Sequence, residues 1–129
     1  MSNFFKLVPL ALGFGPQLQN AGEVTAMDSS STTLPTGSAP TADGVTLQNY
    51  NKVLYSALTT NPGVYEITGG VGTPSGATFS PVQQLPSGDS GLQPSLGCAL
   101  YVQEGTSNGG TCQVWNGSEW VSASVSIGV

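Results

Sequence analysis

The chain has 129 residues with seven acidic side chains, two basic ones (Lys6 and Lys52) and no histidine, which gives a formal net charge of −5. Enzymes mostly use imidazole or charged groups for proton transfer, and nucleic-acid binders need a basic stripe, so this composition argues against both classes. Charged residues make up 7% of the chain, against about a quarter in ordinary soluble domains. The polar surface must therefore consist of uncharged side chains, which suits a chain that is mostly covered in an assembly.

Composition divides the chain into three regions. Residues 1–26 form an apolar N-terminal arm, residues 27–43 a linker rich in Ser, Thr and Pro, and residues 44–129 a β domain in which aliphatic and aromatic residues recur in strand-like groups. We predict an all-β fold, a small antiparallel sandwich or barrel of hairpins with long Gly/Pro-rich loops. In the linker only Leu34 is expected to pack.

The arm is predicted to be extended, because Pro9 and Pro16 exclude one continuous helix. Its apolar run is short and interrupted, which argues against a signal peptide, and no stretch approaches the ~20 apolar residues of a transmembrane helix. The apolar side chains need a surface to lie on, either this domain or a neighbouring subunit. The candidate partner contacts are Phe4, Phe5, Leu7, Val8, Leu10, Leu12 and Phe14.

The first predicted hairpin joins strands at 53–55 and 64–68 through the turn Thr60-Asn61-Pro62-Gly63. Pairing around this turn is expected to place Leu54, Leu58, Tyr65 and Ile67 on one face. Residues 69–97 are rich in Gly and Pro and are predicted to form a long loop that is functional or contacts a neighbour, with one short strand at 77–82.

The last third alternates apolar and polar residues in three predicted strands, joined by GTSNGG at 105–110 and by the Asn116-Gly117 turn. Trp115 is expected to face Trp120 across that turn as a cross-strand pair. With Tyr101, the two tryptophans are predicted to form an aromatic binding face opposite the aliphatic core. Such a face either stacks on sugar rings or packs on a neighbouring protein.

Two cysteines, Cys98 and Cys112, lie in neighbouring predicted strands. Cys112 is expected opposite Val102, which leaves Cys98 too far along the strand to form a disulfide. We therefore predict two free, buried thiols.

Two separated segments of the chain resemble a family of modules found in phage tail-fibre and related virion proteins. The first reads DGVTL at 43–47, VLY at 53–55 and NPGVYEIT at 61–68. The second reads LYVQEGT at 100–106, GG at 109–110 and VWNGSEWV at 114–121. The resemblance covers about residues 43 to 121, with both segments in the family's order and spacing.

The resemblance implies a non-enzymatic, all-β structural protein of the virion, whose partners are major capsid or tail subunits and further copies of the chain. The chain departs from the family in having Tyr50-Asn51-Lys52 before the first strand, where a basic and acidic pair is usual. It also holds a single copy and adds its own arm. These two differences favour a small free-standing subunit, such as a capsid decoration (cement) protein or a tail or neck component. The alternative is a receptor- or carbohydrate-binding fibre module for host attachment.

No catalytic residue, cofactor, metal ion, nucleic acid or membrane is expected. Lys6 and Lys52 are not near a recognisable nucleophile motif, and Glu66, Glu104 and Glu119 lie on or beside hairpins, where carboxylates are usually solvated. The chain has no cysteine–histidine cluster that would bind zinc.

Overall fold

A computed structural model describes residues 5–7, 19–82, 94, 96–123 and 125–127. Its regular elements in that part are all strands, so the predicted all-β fold is confirmed. No helix among these residues is long and apolar enough to cross a membrane. The strands are β1 Phe5–Leu7, β2 Gln19–Val24, β3 Ala26–Asp28, β4 Thr41–Ala42, β5 Val45–Thr46, β6 Lys52–Tyr55, β7 Gly63–Gly69, β8 Thr78–Pro81, β9 Cys98–Val102, β10 Cys112–Trp115, β11 Trp120–Ala123 and β12 Val125–Ile127.

Two four-stranded sheets form the body of the described part. Their strand orders are β11-β10-β9-β2 and β3-β6-β7-β8. The predicted hairpins β6–β7 and β9–β10–β11 are present and antiparallel, and β8 lies within the predicted strand at 77–82. The sheets are mixed, however, because β2 pairs in parallel with β9 and β3 in parallel with β6.

Strands β2 and β3 join the two sheets at Thr25, although the sequence places these residues in the arm and linker. The Thr25 N–H donates to the Lys52 carbonyl (2.8 Å), and the Thr25 carbonyl accepts from the Glu104 N–H (2.9 Å), so one residue bonds to both sheets. Ala26 and Met27 are buried. The prediction failed here because QNAGEV has few β-branched or aromatic residues, and its strand pairing comes from tertiary contacts.

The core between the sheets receives side chains from both of them. Burying such a set of apolar residues is the dominant stabilising contribution in a domain of this size. This inter-sheet core consists of Val24, Met27, Leu54, Val64, Val82, Cys98, Leu100, Val102, Trp115 and Trp120.

The other face of the β3-β6-β7-β8 sheet is also buried. Leu54 pairs with Val64 and points to the inter-sheet core, whereas Tyr65 and Ile67 lie on the opposite face with Leu58, so the predicted grouping of these four residues is wrong for Leu54. A second apolar cluster forms on this face. It consists of Ala26, Ala42, Leu47, Val53, Tyr55, Leu58, Tyr65 and Ile67.

The predicted linker lies over this second cluster and is hydrogen-bonded to the neighbouring loops. Leu34 packs against the cluster, as predicted. The Gly37 carbonyl accepts from the Ala77 N–H (3.0 Å), and the Ser38 carbonyl accepts from the Gly72 N–H (2.7 Å). The segment is therefore a covering layer of the fold.

The arm contributes one described strand, β1, which pairs with β12 of the same chain. Phe5 is opposite Ile127 and Leu7 is opposite Val125. The other five candidate contacts of the arm lie outside the described residues; these are Phe4, Val8, Leu10, Leu12 and Phe14.

The two sheets repeat one arrangement of strands. In each, a hairpin (β6–β7 or β9–β10) has a parallel strand on one side and an antiparallel strand on the other. Both hairpins contain a Leu-Tyr pair in the first strand, and their loops read TTNPG at 59–63 and TSNGG at 106–110. Similar local sequence thus forms the central hairpin of each sheet.

Candidate functional site: contact surfaces and the Asp43 turn

The tryptophan pair is buried in the inter-sheet core. Trp115 is opposite Trp120, as predicted, and the rings meet edge to face with centroids 5.6 Å apart. Their exposed fractions are only 6% and 8%. They are therefore part of the packed core, where aromatic pairs of this geometry stabilise a fold.

Tyr101 lies on the other face of the same sheet. It is opposite Cys112 and packs with Ala99, Cys112 and Val114, all three of which are fully buried. The predicted aromatic binding face of Tyr101, Trp115 and Trp120 is therefore not formed. Alternation correctly separates Trp115 from Val114, but all four residues of β10 are buried, so alternation alone cannot show which face meets the other sheet.

Both cysteines are free and buried, which confirms the prediction. The register differs by one residue, because Cys112 is opposite Tyr101 where Val102 was expected. Cys98 therefore points to the inter-sheet core and Cys112 to the opposite face. Burial raises the pKa of Cys98 to about 12 and that of Cys112 to about 11. Protonated, inaccessible thiols of this kind are inert as nucleophiles.

The best-defined polar site lies at the turn between β4 and β5. Asp43 and Gly44 both have positive φ (49° and 80°), as a type I′ turn requires. One Asp43 carboxylate oxygen accepts from the Asn108 N–H (2.7 Å), and both accept from the Ser107 N–H (3.0 Å each). The Asp43 carbonyl accepts from the Thr106 N–H (2.9 Å). We call this contact the Asp43 turn; it fixes the β4–β5 hairpin to the loop after β9.

Two glycines permit this close approach. A Cβ at Gly105 would collide with the Asp43 carboxylate, and one at Gly44 would lie 2.7 Å from the Thr106 hydroxyl oxygen. Both positions also have positive φ (141° and 80°). The glycines in DGVTL and in LYVQEGT are thus explained by the meeting of the two segments.

A shallow polar cavity of about 390 Å³ lies beside the Asp43 turn, with Glu104 on its wall. The Asp43 carboxylate already accepts backbone N–H groups, so it leaves Glu104 as the one carboxylate of this cavity without such partners. No cluster of three or more metal-ligating side chains occurs among the described residues. The cavity therefore gives no basis for a metal site or for paired-carboxylate chemistry.

A second carboxylate, Asp28, begins the covering layer. Its side chain accepts from the N–H groups of Ser30 (2.9 Å) and Ser31 (2.8 Å) and from the Ser31 hydroxyl (2.7 Å). Burial alone would raise the pKa of Asp28, but these hydrogen bonds outweigh it and lower the pKa. The pKa of nearby Tyr55 is raised, first by burial and second by the negative charge of Asp28. This pattern indicates a structural anchor of the fold.

No family model, curated protein or solved structure matches this chain.

Proposed function

We propose that this protein is a non-enzymatic structural subunit of a bacteriophage-like virion, a small capsid decoration or tail/neck component that binds neighbouring virion proteins. The proposal combines the resemblance of residues 43–121 with the scarcity of ionisable groups. The observation that carries it is the Asp43 turn. Asp43 belongs to the first segment of the resemblance, and Ser107 and Asn108 lie within the second, so the two segments meet in one unit of structure.

The charge pattern supports a contact role over catalysis. Lys52 is the cation of the described residues, and it lies opposite Glu66 in the β6–β7 pair. The buried thiols are protonated, and the Asp28 and Asp43 carboxylates are bonded to backbone N–H groups. These groups are consumed by the fold, which leaves few for general acid–base chemistry.

The carbohydrate-binding alternative loses its main support. It depended on an open face formed by Tyr101, Trp115 and Trp120, and two of these three side chains are buried between the sheets. A sugar ring needs an accessible aromatic face for stacking, so the tryptophans cannot supply it in this fold.

Binding to particles that lack the protein tests the proposal. Purified chain, shown to be folded by circular dichroism, is added to particles of the encoding virus from which the gene has been deleted, and the mixture is sedimented. We expect saturable co-sedimentation with the particles and none with those of an unrelated virus. A folded chain that remains in the supernatant in both cases, at concentrations up to ~100 μM, would refute the proposal; binding in that range corresponds to only about 5 kcal/mol.

A further inference from the structure

Tyr50 has an unusual backbone conformation. Its φ is 74°, in the left-handed region, and the other non-glycine residues with positive φ in the described part are Asp43 and Asn61. Asp and Asn enter this region readily, whereas a bulky aromatic residue there is an outlier. Holding such a residue costs about 1–3 kcal/mol, and such strain tends to be found at functional sites.

Hydrogen bonds hold Tyr50 in this conformation. Its N–H donates to the Ile67 carbonyl (2.6 Å). The Gln48 N–H donates to the Asn51 side-chain oxygen (2.8 Å), and the Asn51 N–H donates back to the Gln48 carbonyl (3.2 Å). The tight turn at 48–51 is thus fixed from both sides, and it aims the Tyr50 side chain outward.

The Tyr50 ring gives nothing back to the fold. It is 70% exposed, the largest value for any large hydrophobic side chain in the described part; Leu96 follows at 45%. A glycine or asparagine at this position would form the same turn with less strain. A strained, protruding tyrosine is therefore explained best by a contact outside the subunit, because tyrosine is a preferred anchor of protein interfaces.

The covering layer has a cleft of matching character. Residues 30–41 line an open cleft of about 640 Å³ that has no charged side chain on its wall, with Leu34 and Pro35 among hydroxyl-bearing residues. Gln48, Asn49 and Asn51 around Tyr50 are likewise uncharged. Copies with a net charge of −5 repel one another, so contact between copies is least opposed where both surfaces lack charge.

We propose that Tyr50 anchors a contact between copies of this chain by entering the cleft of residues 30–41 on the next copy. The contact is head-to-tail, so it builds rings or open arrays according to its geometry. It goes beyond the proposed function and is tested on the isolated chain, so its failure and a failure to bind particles are distinguishable.

The variants Tyr50→Asn and Tyr50→Gly separate this role from a structural one. Each should raise the urea midpoint of unfolding, because backbone strain is relieved, and should weaken self-association at least tenfold in analytical ultracentrifugation. Leu96→Asn, which removes another exposed hydrophobic side chain, is the matched control and should leave self-association unchanged. Opposite effects on stability and association are the signature of a residue selected for contact.

A mixing experiment tests the receiving cleft. Thr33→Trp fills the cleft and should abolish self-association of that variant, yet mixed with Tyr50→Asn it should give one-to-one dimers, since each partner supplies one intact half. The proposal is overturned if wild-type chain stays monomeric to ~1 mM, if the Tyr50 variants associate as the wild type does, or if they unfold at lower urea. Tyr50-dependent binding of a soluble glycan by a monomeric chain would also overturn it, in favour of a sugar site.

Discussion

Asp43 shows how one side chain organises a contact between distant parts of the sequence. Its carboxylate accepts backbone N–H groups from Ser107 and Asn108, which lie 64 and 65 residues further along the chain. Hydrogen bonds to a charged acceptor contribute more than neutral ones, about 1.5–3 kcal/mol before solvent screening. The sequence signals the turn through Asp-Gly, but its partner is set only by the tertiary fold.

Asp43→Asn is expected to lower the free energy of unfolding by about 1–2 kcal/mol, because it removes the charge and turns an NH₂ group toward backbone N–H donors. Glu104→Gln is the matched control. It also removes one negative charge beside the same cavity, and it should change stability by less than about 0.5 kcal/mol. Urea unfolding followed by tryptophan fluorescence gives both values. Equal effects of the two variants would show that charge, and not the Asp43 turn, determines the difference.

At the scale of elements, the success of prediction follows the local turn chemistry. Asn61-Pro62-Gly63 and Asn116-Gly117 announce the β6–β7 and β10–β11 hairpins, and both form. Strands β2 and β3 carry no such signal, and their parallel pairing depends on β9 and β6, far away in sequence. The aromatic face failed for a related reason. Both faces of the β9–β10–β11 sheet are buried, so its residues gave no polar side to orient the prediction.

The cysteines of β9 and β10 give a pH-dependent prediction. Burial raises the pKa of both folded thiols, so the folded chain retains protons that the unfolded chain loses above its ordinary thiol pKa of about 9. Stability from this source is complete below pH 9 and declines as the pH rises through about 11 for Cys112 and about 12 for Cys98.

Unfolding curves between pH 8 and 11 check this prediction, with Cys98→Ala/Cys112→Ala as the control in which the alkaline decline should be smaller. At pH 8 the folded chain should also react with no equivalent of a thiol reagent, and the unfolded chain with two. Rapid reaction of the folded chain would contradict the burial of the thiols.

At the scale of the whole molecule, the described residues form two sheets and a covering layer in which ionisable groups serve the fold. Asp28 anchors the layer and Asp43 fixes the β4–β5 hairpin. The arm, expected to reach a partner, instead pairs through β1 with β12 of its own chain. The outward-facing feature that remains is the uncharged surface around Tyr50, which no periodicity in the sequence announces because its meaning lies in a backbone angle.

Quantitative mass spectrometry of gradient-purified particles from the encoding virus tests the central claim most directly. The account predicts a fixed copy number relative to the major capsid or tail protein. It also predicts that the chain remains bound in 1 M salt, since screening weakens charged contacts and leaves uncharged ones in place. A chain that is absent from the particles, or that occurs there only in trace and variable amounts while it accumulates in the soluble lysate, would contradict the account.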